Sequence, residues 1–493
     1  MKKLYLPLFF FSLVNVHANG VDLRDTITLS LQNVVDLAVV QSSAVKNAQN
    51  QNVNYYWRYK NFQSRFRPQL MLSGNLPNYA QTTSPVTQPD GSIEFKQVAN
   101  LQTSANLSLN QSIPLLGTYV YAATSLYRIQ DFKTNSTEFS GTPFSIGFSQ
   151  PIFAHNWMKW NRILEPLLFE QANKDFVESI EDISLWATQR FFRYLKVQTN
   201  FNLATSNLKN SQDNLKIAEA KKKLGQISEN DFSRIQLSVL NAQKALNKAQ
   251  MDLKNADFEL KSFIGLGQEN AIKLNIPLNI VFFDIDPKVA LDEAKLNRKE
   301  TPMFELRLKE ADRQLDEAKK NGGLGATLTG SYGATNSADY FQNVYVNPQR
   351  EQILRLTVSV PILDWGRSAS AIKLAESRKD LVVYDVEKDK LDFEREVIVQ
   401  VEQFGLLKDQ LATAFEADKV AENGYLIAIR KFQNGEISIT DLNISLSERE
   451  SAKRDYIDSL MDYWEAYYNL RILTLYNFEL GAKITYLNPM INN

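Results

Sequence analysis

From Phe232 onward, apolar residues recur at alternating spacings of three and four: Phe232, Ile235, Val239, Ala242, Leu246, Ala249, Leu253, Ala256, Leu260 and Phe263. This is a coiled-coil seam along one face of a helix. Small residues at Ala242, Ala249 and Ala256 let a neighbouring helix come close. A shift of 210 places Ala452, Ser459 and Ala466 at those three positions, and Leu442, Leu470 and Leu473 at Phe232, Leu260 and Phe263. Arg449 and Tyr463 interrupt the second seam. The pattern predicts helices over 229–264 and 440–480, each preceded by a longer one, 158–222 and 367–432, in which Pro166 is the only proline. At 1.5 Å per residue, 65 residues extend about 100 Å. Such rods exceed an ordinary globular domain.

Between the rods lie LGQISEND (224–231) and NGEISITD (434–441), two copies of Gly-x-Ile-Ser-x-x-Asp with Gly225 and Gly435 also 210 apart. Pro151 and Pro361 keep the same offset, so the register runs from a strand end through a whole helical hairpin. Upstream the offset becomes 256, matching LMLSG (70–74) to ATLTG (326–330) and Ala38 to Ala294. The chain therefore reads as a two-fold internal repeat, with about 46 extra residues between 74 and 145 of the first copy. The expected organisation is a first repeat over 19–264, a linker over 265–287, a second repeat over 288–485 and a tail over 486–493. Further helices are expected over 29–64 and 288–319.

Four segments alternate or are rich in strand formers: about 68–78, 144–153, 324–333 and 353–362. In LTVSVPI, Leu356, Val358 and Val360 alternate with Thr357, Ser359 and Pro361, as in a wall with one greasy and one polar face. Trp157, Trp160 and Trp365 fall just past strand ends, where membrane-interface aromatics collect. Four strands cannot close a wide barrel, so the wall is shared between protomers. The insertion, about 80–142, holds strand-like LQTSANLSLNQ and TYVYAATSLYRI. It either adds two strands per protomer or forms an extracellular cap, and the alternation leaves both open.

Composition narrows the chemistry. MKKLYLPLFFFSLVNVHA has the order of a secretory signal, with cleavage expected after Ala18. Removing Lys2 and Lys3 takes the net charge from −1 to −3, which suggests no nucleic acid partner. There is no cysteine, hence no thiol chemistry, no disulfide and no N-terminal lipid anchor. His155 is the one histidine beyond the signal, too few for a two-His metal site, and no G-x-S-x-G stands near it. GGLGATLTG (322–330) lacks the Gly-Lys-Ser/Thr end of a phosphate loop. No enzyme, cofactor or metal site is expected.

The signal, the duplicated helix-strand-strand-helix-helix order and the glycine-centred turns together resemble the TolC-like outer-membrane efflux family. That resemblance implies a mixed α and β fold in which long antiparallel coiled-coil hairpins continue a transmembrane β-barrel. It implies a homotrimeric tube with twelve strands in the outer membrane and about twelve helices across the periplasm. The implied partners are a periplasmic adaptor, an inner-membrane transporter reached through it, and outer-membrane lipid. By the resemblance, the tips Leu224-Gly225-Gln226 and Asn434-Gly435-Glu436 meet the adaptor. Asp231, Asp441 and Phe432 fall at candidate gate positions, whereas Ile437 and Ile444 stand where the family places charged locking residues. From the residues alone, each aspartate equally suits a helix start. The competing class is a secreted coiled-coil protein with structural or adhesive duties.

Overall fold

The structure, a computed structural model, describes residues 26–277, 280 and 282–491. The expected signal, 1–18, lies outside the described residues, as do parts of the expected linker and tail. In chain order the elements begin β1 (Thr26–Leu29), α1 (Leu31–Gln41), α2 (Ser43–Ser64), β2 (Gln69–Thr87), β3 (Ile93–Ile113), β4 (Thr118–Asp131) and β5 (Ser136–Ile152). Then come α3 (Trp157–Lys223), α4 (Glu229–Ile264), β6 (Ala271–Leu274), α5 (Pro287–Asn297), α6 (Glu300–Asn321), β7 (Gly325–Ala338) and β8 (Gln349–Ser359). The chain closes with α7 (Arg367–Asn434), α8 (Ile439–Thr474), β9 (Tyr476–Asn477) and β10 (Ala482–Lys483).

The chain divides into two compact units. The turn-bearing unit comprises Trp186–Ile280, Ala417–Met461 and the described residues up to Ser42. Its α4 carries the seam, and both helix ends are encoded locally. Ser228 caps the start, Glu229 and Asp231 sit in the first turn, and Gly265 closes the helix with φ 74°. Leu260 and Ile264 of this helix are fully buried. A short parallel pair, β1 with β6, joins distant chain segments. It is fixed by α3, whose Tyr194 hydroxyl donates to the Ile272 carbonyl at 2.8 Å while the Gln198 amide satisfies both backbone groups of Leu274 at 2.9 Å.

The sheet-bearing unit comprises Ser43–Leu185, Val281–Glu416 and Asp462–Asn493. Its sheet has six antiparallel strands in the order β2-β3-β4-β5-β7-β8, so the insertion lies inside the sheet as β3 and β4. Registered neighbours share a face. One row reads Leu70, Leu109, Ala122, Ile146, Tyr332, Gln352, and the adjacent opposite-facing row reads Met71, Ser108, Ala123, Ser145, Gly333, Glu351. The first face is thus mostly apolar, and the second is mostly small or polar. The apolar face is bare in the single chain, with Leu70 at 70% and Leu354 at 77% exposure. Outer strands β2 and β8 each pair on one side only. Pro77 of β2 falls in the register break between Asn75 and Asn78, where the ladder is already interrupted.

Several boundaries differ from the periodicity. The helix expected over 29–64 is interrupted at Ser42, which adopts extended backbone and is buried. The helix expected over 288–319 breaks at Arg298, also extended. There the guanidinium turns inward to the Ile472 carbonyl at 2.6 Å and to Glu300. The helix expected over 440–480 stops at Thr474, where Leu475 turns to φ 46° and the chain enters β9. Strand β8 ends at Ser359, before Pro361.

Candidate functional site: the paired helical turns

Both turns lie in the turn-bearing unit and are built the same way. At the first, Gln226 N–H reaches back to the Lys221 carbonyl at 2.9 Å and Gly225 N–H to Lys222 at 3.0 Å. At the second, Glu436 N–H reaches Lys431 at 2.9 Å and Gly435 N–H reaches Phe432 at 3.0 Å. This double bond pattern ends a helix on a left-handed residue. Gly225 and Gly435 have φ of 70° and 82°, and a Cβ on either would meet nothing within 4 Å. The backbone angle, not crowding, is what demands glycine.

Three residues further on, a serine starts the return helix. The Ser228 hydroxyl accepts from Asp231 N–H at 3.1 Å and donates to the Asp231 carboxylate at 2.7 Å. Ser438 repeats both contacts with Asp441, at 3.2 and 2.7 Å, and adds its own N–H to the carboxylate at 3.0 Å. Both aspartates are therefore engaged as helix-start residues. Hydrogen bonds from the Ser438 hydroxyl and N–H hold the Asp441 carboxyl below its ordinary value, so it carries its charge at neutral pH. Leu224, Gly225, Gln226, Asn434, Gly435 and Glu436 are all exposed, which leaves both tips uncovered.

Phe432 is half-buried against Tyr425, Ala428 and Leu442, in a cluster that also takes in Ile437 and Ile439. Ile444 is 52% exposed. Lys222 lies 4.1 Å from the centre of the Phe232 ring and also pairs with Glu229 at 2.8 Å, binding the first turn to its return helix.

Behind the tips, polar residues tie the long helices together, and the periodicity had marked Arg449 only as an interruption. Arg449 is buried 4.3 Å from the centre of the Tyr425 ring, with Glu422 at 3.5 Å. The Asn210 amide donates to the Tyr425 hydroxyl at 3.0 Å. Asn207 bonds Glu450, Lys196 grips both oxygens of Asp458 at 2.7 Å, and Lys453 pairs with Asp418 at 2.8 Å. A seam scored only for apolar residues overlooks these contacts; the signal available was their recurrence on faces three and four residues apart.

Trp157, Trp160 and Trp365 fall in the sheet-bearing unit. Trp157 opens α3 half-exposed, and Trp365 has φ 55° and 89% exposure. Trp160 is different, for its indole donates to Asp316 Oδ2 at 3.0 Å, and the same oxygen lies 2.8 Å from His155 Nδ1. Burial pushes the Asp316 carboxyl up, but the bonds from Trp160 and His155 outweigh it and hold it below its ordinary value. Among the described residues no cluster of three or more His, Asp or Glu could hold a metal ion, and no helix is long and apolar enough to cross a membrane.

Residues 290–474 match the family described as outer membrane efflux protein. In fold the chain is similar to a membrane protein from Pseudomonas aeruginosa, at 15% identity and TM-score 0.64, covering 92% of this chain and 90% of that one. It is similar to the CmeC outer membrane channel of Campylobacter jejuni, at 14% identity and TM-score 0.66, covering 94% and 88%. It is also similar to the outer membrane protein VceC of Vibrio cholerae, at 12% identity and TM-score 0.63, covering 92% and 96%. No curated protein matches in sequence. The resemblance drawn from the turns and the repeat order is borne out: the chain shares its fold with these outer-membrane channels, and residues 290–474 match the efflux family.

Proposed function

We propose that this chain is the outer-membrane exit duct of a tripartite efflux or type I secretion system. It passively conducts what an inner-membrane transporter delivers through a periplasmic adaptor. The observation that carries the reading is the six-stranded sheet, bare on its apolar face and unpaired at both edges. An open sheet cannot stand in lipid, because every backbone polar group there needs a partner. Copies of the same chain supply it edge to edge, and the resemblance makes three the number to test. No bond-making step is required of the protein.

The helical turns form the periplasmic end of this duct. The exposed tips at Leu224–Gln226 and Asn434–Glu436 are the adaptor contacts, and Asp231, Asp441 and Phe432 line the gate. Support comes from the charge on Asp441 and from the half-exposed Lys196–Asp458 tie behind it, which can exchange its partner for water. Trp157 and Trp365, exposed beyond the strand ends, mark the membrane interface.

The test is fractionation with conductance. Heat-modifiable trimers in the outer membrane that open ion-conducting channels in planar bilayers are the expected result, and a soluble periplasmic fibre refutes the duct. For the gate, Asp441→Ala weakens block by divalent and trivalent cations. Unchanged block removes Asp441 from the gate while leaving the duct standing.

A further inference from the structure

The resemblance implied four strands per protomer, yet this sheet has six. We infer that the insertion hairpin, β3 with β4, is part of the membrane wall, so that three copies close an eighteen-stranded barrel with a wider outer mouth than a twelve-stranded one. The inference rests on the trimeric duct proposed above.

Three observations carry it. First, the hairpin is stitched into the middle of the sheet, with β3 paired to β2 from Gln69↔Asn110 upward and β4 paired to β5 from Tyr119↔Ser149 upward. Second, β3 alternates as a wall strand does. Leu107 and Leu109 share the apolar face with Leu70, Leu72 and Ile146, while Asn106 and Ser108 share the polar face with Ser145 and Glu351. A cap in water has no need of that alternation, whereas a lipid-facing strand does.

Third, the turn joining β3 to β4 is anchored where the sheet meets the helices. The Asn156 amide, just before α3, donates to the Pro114 carbonyl at 2.9 Å, and the Gln150 amide donates to Leu116 at 3.0 Å. Gln111 reaches the Phe66 carbonyl at 2.7 Å, past the end of α2. Gly117 takes φ 70° against the Asn156 side chain, 3.2 Å from where its Cβ would lie. These bonds hold the hairpin at the same end of the sheet as the four strands that continue into helices.

Barrel diameter grows roughly linearly with strand number. Eighteen strands therefore give a mouth about one and a half times as wide as twelve. The barrel end would then pass bulky solutes, such as polymer chains or polypeptide segments, and would not itself set the size limit of the cargo.

The absence of native cysteine allows a direct test in the full chain. Asn106→Cys and Ser108→Cys in outer-membrane trimers should react with a water-soluble maleimide, while Leu107→Cys and Leu109→Cys stay shielded by lipid. Four equally reactive cysteines in membrane trimers make the hairpin a cap and overturn the inference; reactive cysteines in a soluble protein overturn the duct itself. Deleting 88–135 joins β2 to β5 in antiparallel sense at one end of the sheet. In trimers of that variant, the largest neutral polyethylene glycol entering from the barrel side should shrink by about a third. An unchanged cut-off overturns the inference, and should the variant not assemble, the cysteine pattern alone decides.

Discussion

Two ion pairs, one from each unit, differ in how much water they keep. In the sheet-bearing unit Glu181 has no exposed surface. Arg471 grips it with two bonds of 2.7 and 2.8 Å, and the Tyr486 hydroxyl adds a third at 2.6 Å. In the turn-bearing unit Lys196 and Asp458 face each other at 2.7 Å with side chains 41% and 43% exposed. A dry, fully bonded pair can be broken only by leaving a buried charge, whereas a wet one exchanges its partner for water at little cost. The Arg471–Glu181 knot is thus fixed, whereas the Lys196–Asp458 contact can be remade.

Cutting the dry knot should have the largest effect. Arg471→Ala leaves Glu181 without its counter-charge and should destabilise the protein by about 3–5 kcal/mol, read as a lowered unfolding midpoint of the purified protein. A loss below 1 kcal/mol would place that knot among the wet pairs.

The neighbouring Glu178 gives a pH signature. Burial pushes its carboxyl from 4.5 up to about 7, against the pull of Arg298 and Lys299. A carboxyl raised on folding contributes stability that is complete below its ordinary value and is lost as pH climbs through the folded value. Thermal stability should therefore fall between pH 4.5 and about 7, and Glu178→Gln should flatten that slope. A parallel slope in the variant assigns the effect to another group.

The helical turns come next. Gly225→Ala and Gly435→Ala should each cost about 1–2 kcal/mol, since both force a Cβ into left-handed backbone. Equal costs are expected because the two glycine residues sit in matching closing hydrogen bonds with open space around each. Unequal costs would show that something other than backbone angle separates them. The smallest effect is expected for Lys196→Met, about 0.2–1 kcal/mol in stability. Its signature should be a higher probability of channel opening, and an unaltered one removes this pair from the gate.

Legibility followed how locally each feature is encoded. The turn at LGQISEND could be read because glycine, serine and aspartate each act within a few residues of themselves, and the seam of α4 because its spacing repeats. The break at Arg298 could not, since its guanidinium is held by a carbonyl far along the chain, that of Ile472. The insertion was ambiguous for a related reason. LQTSANLSLNQ alternates, but only pairing with β2 and β4 shows which of its faces joins which wall. Trp160 was grouped with the other tryptophans by position alone, while Asp316, which fixes its indole, lies 156 residues away.

The two unpaired borders of the sheet have a genetic corollary. In the trimer proposed above, no copy would complete its own wall, and one faulty border would spoil every ring it joined. A proline at Leu354, inside β8, should thus be dominant when co-expressed with the unaltered chain. Antibiotic or toxin sensitivity of such mixed cells, measured against cells making the normal chain alone, would reveal that interdependence.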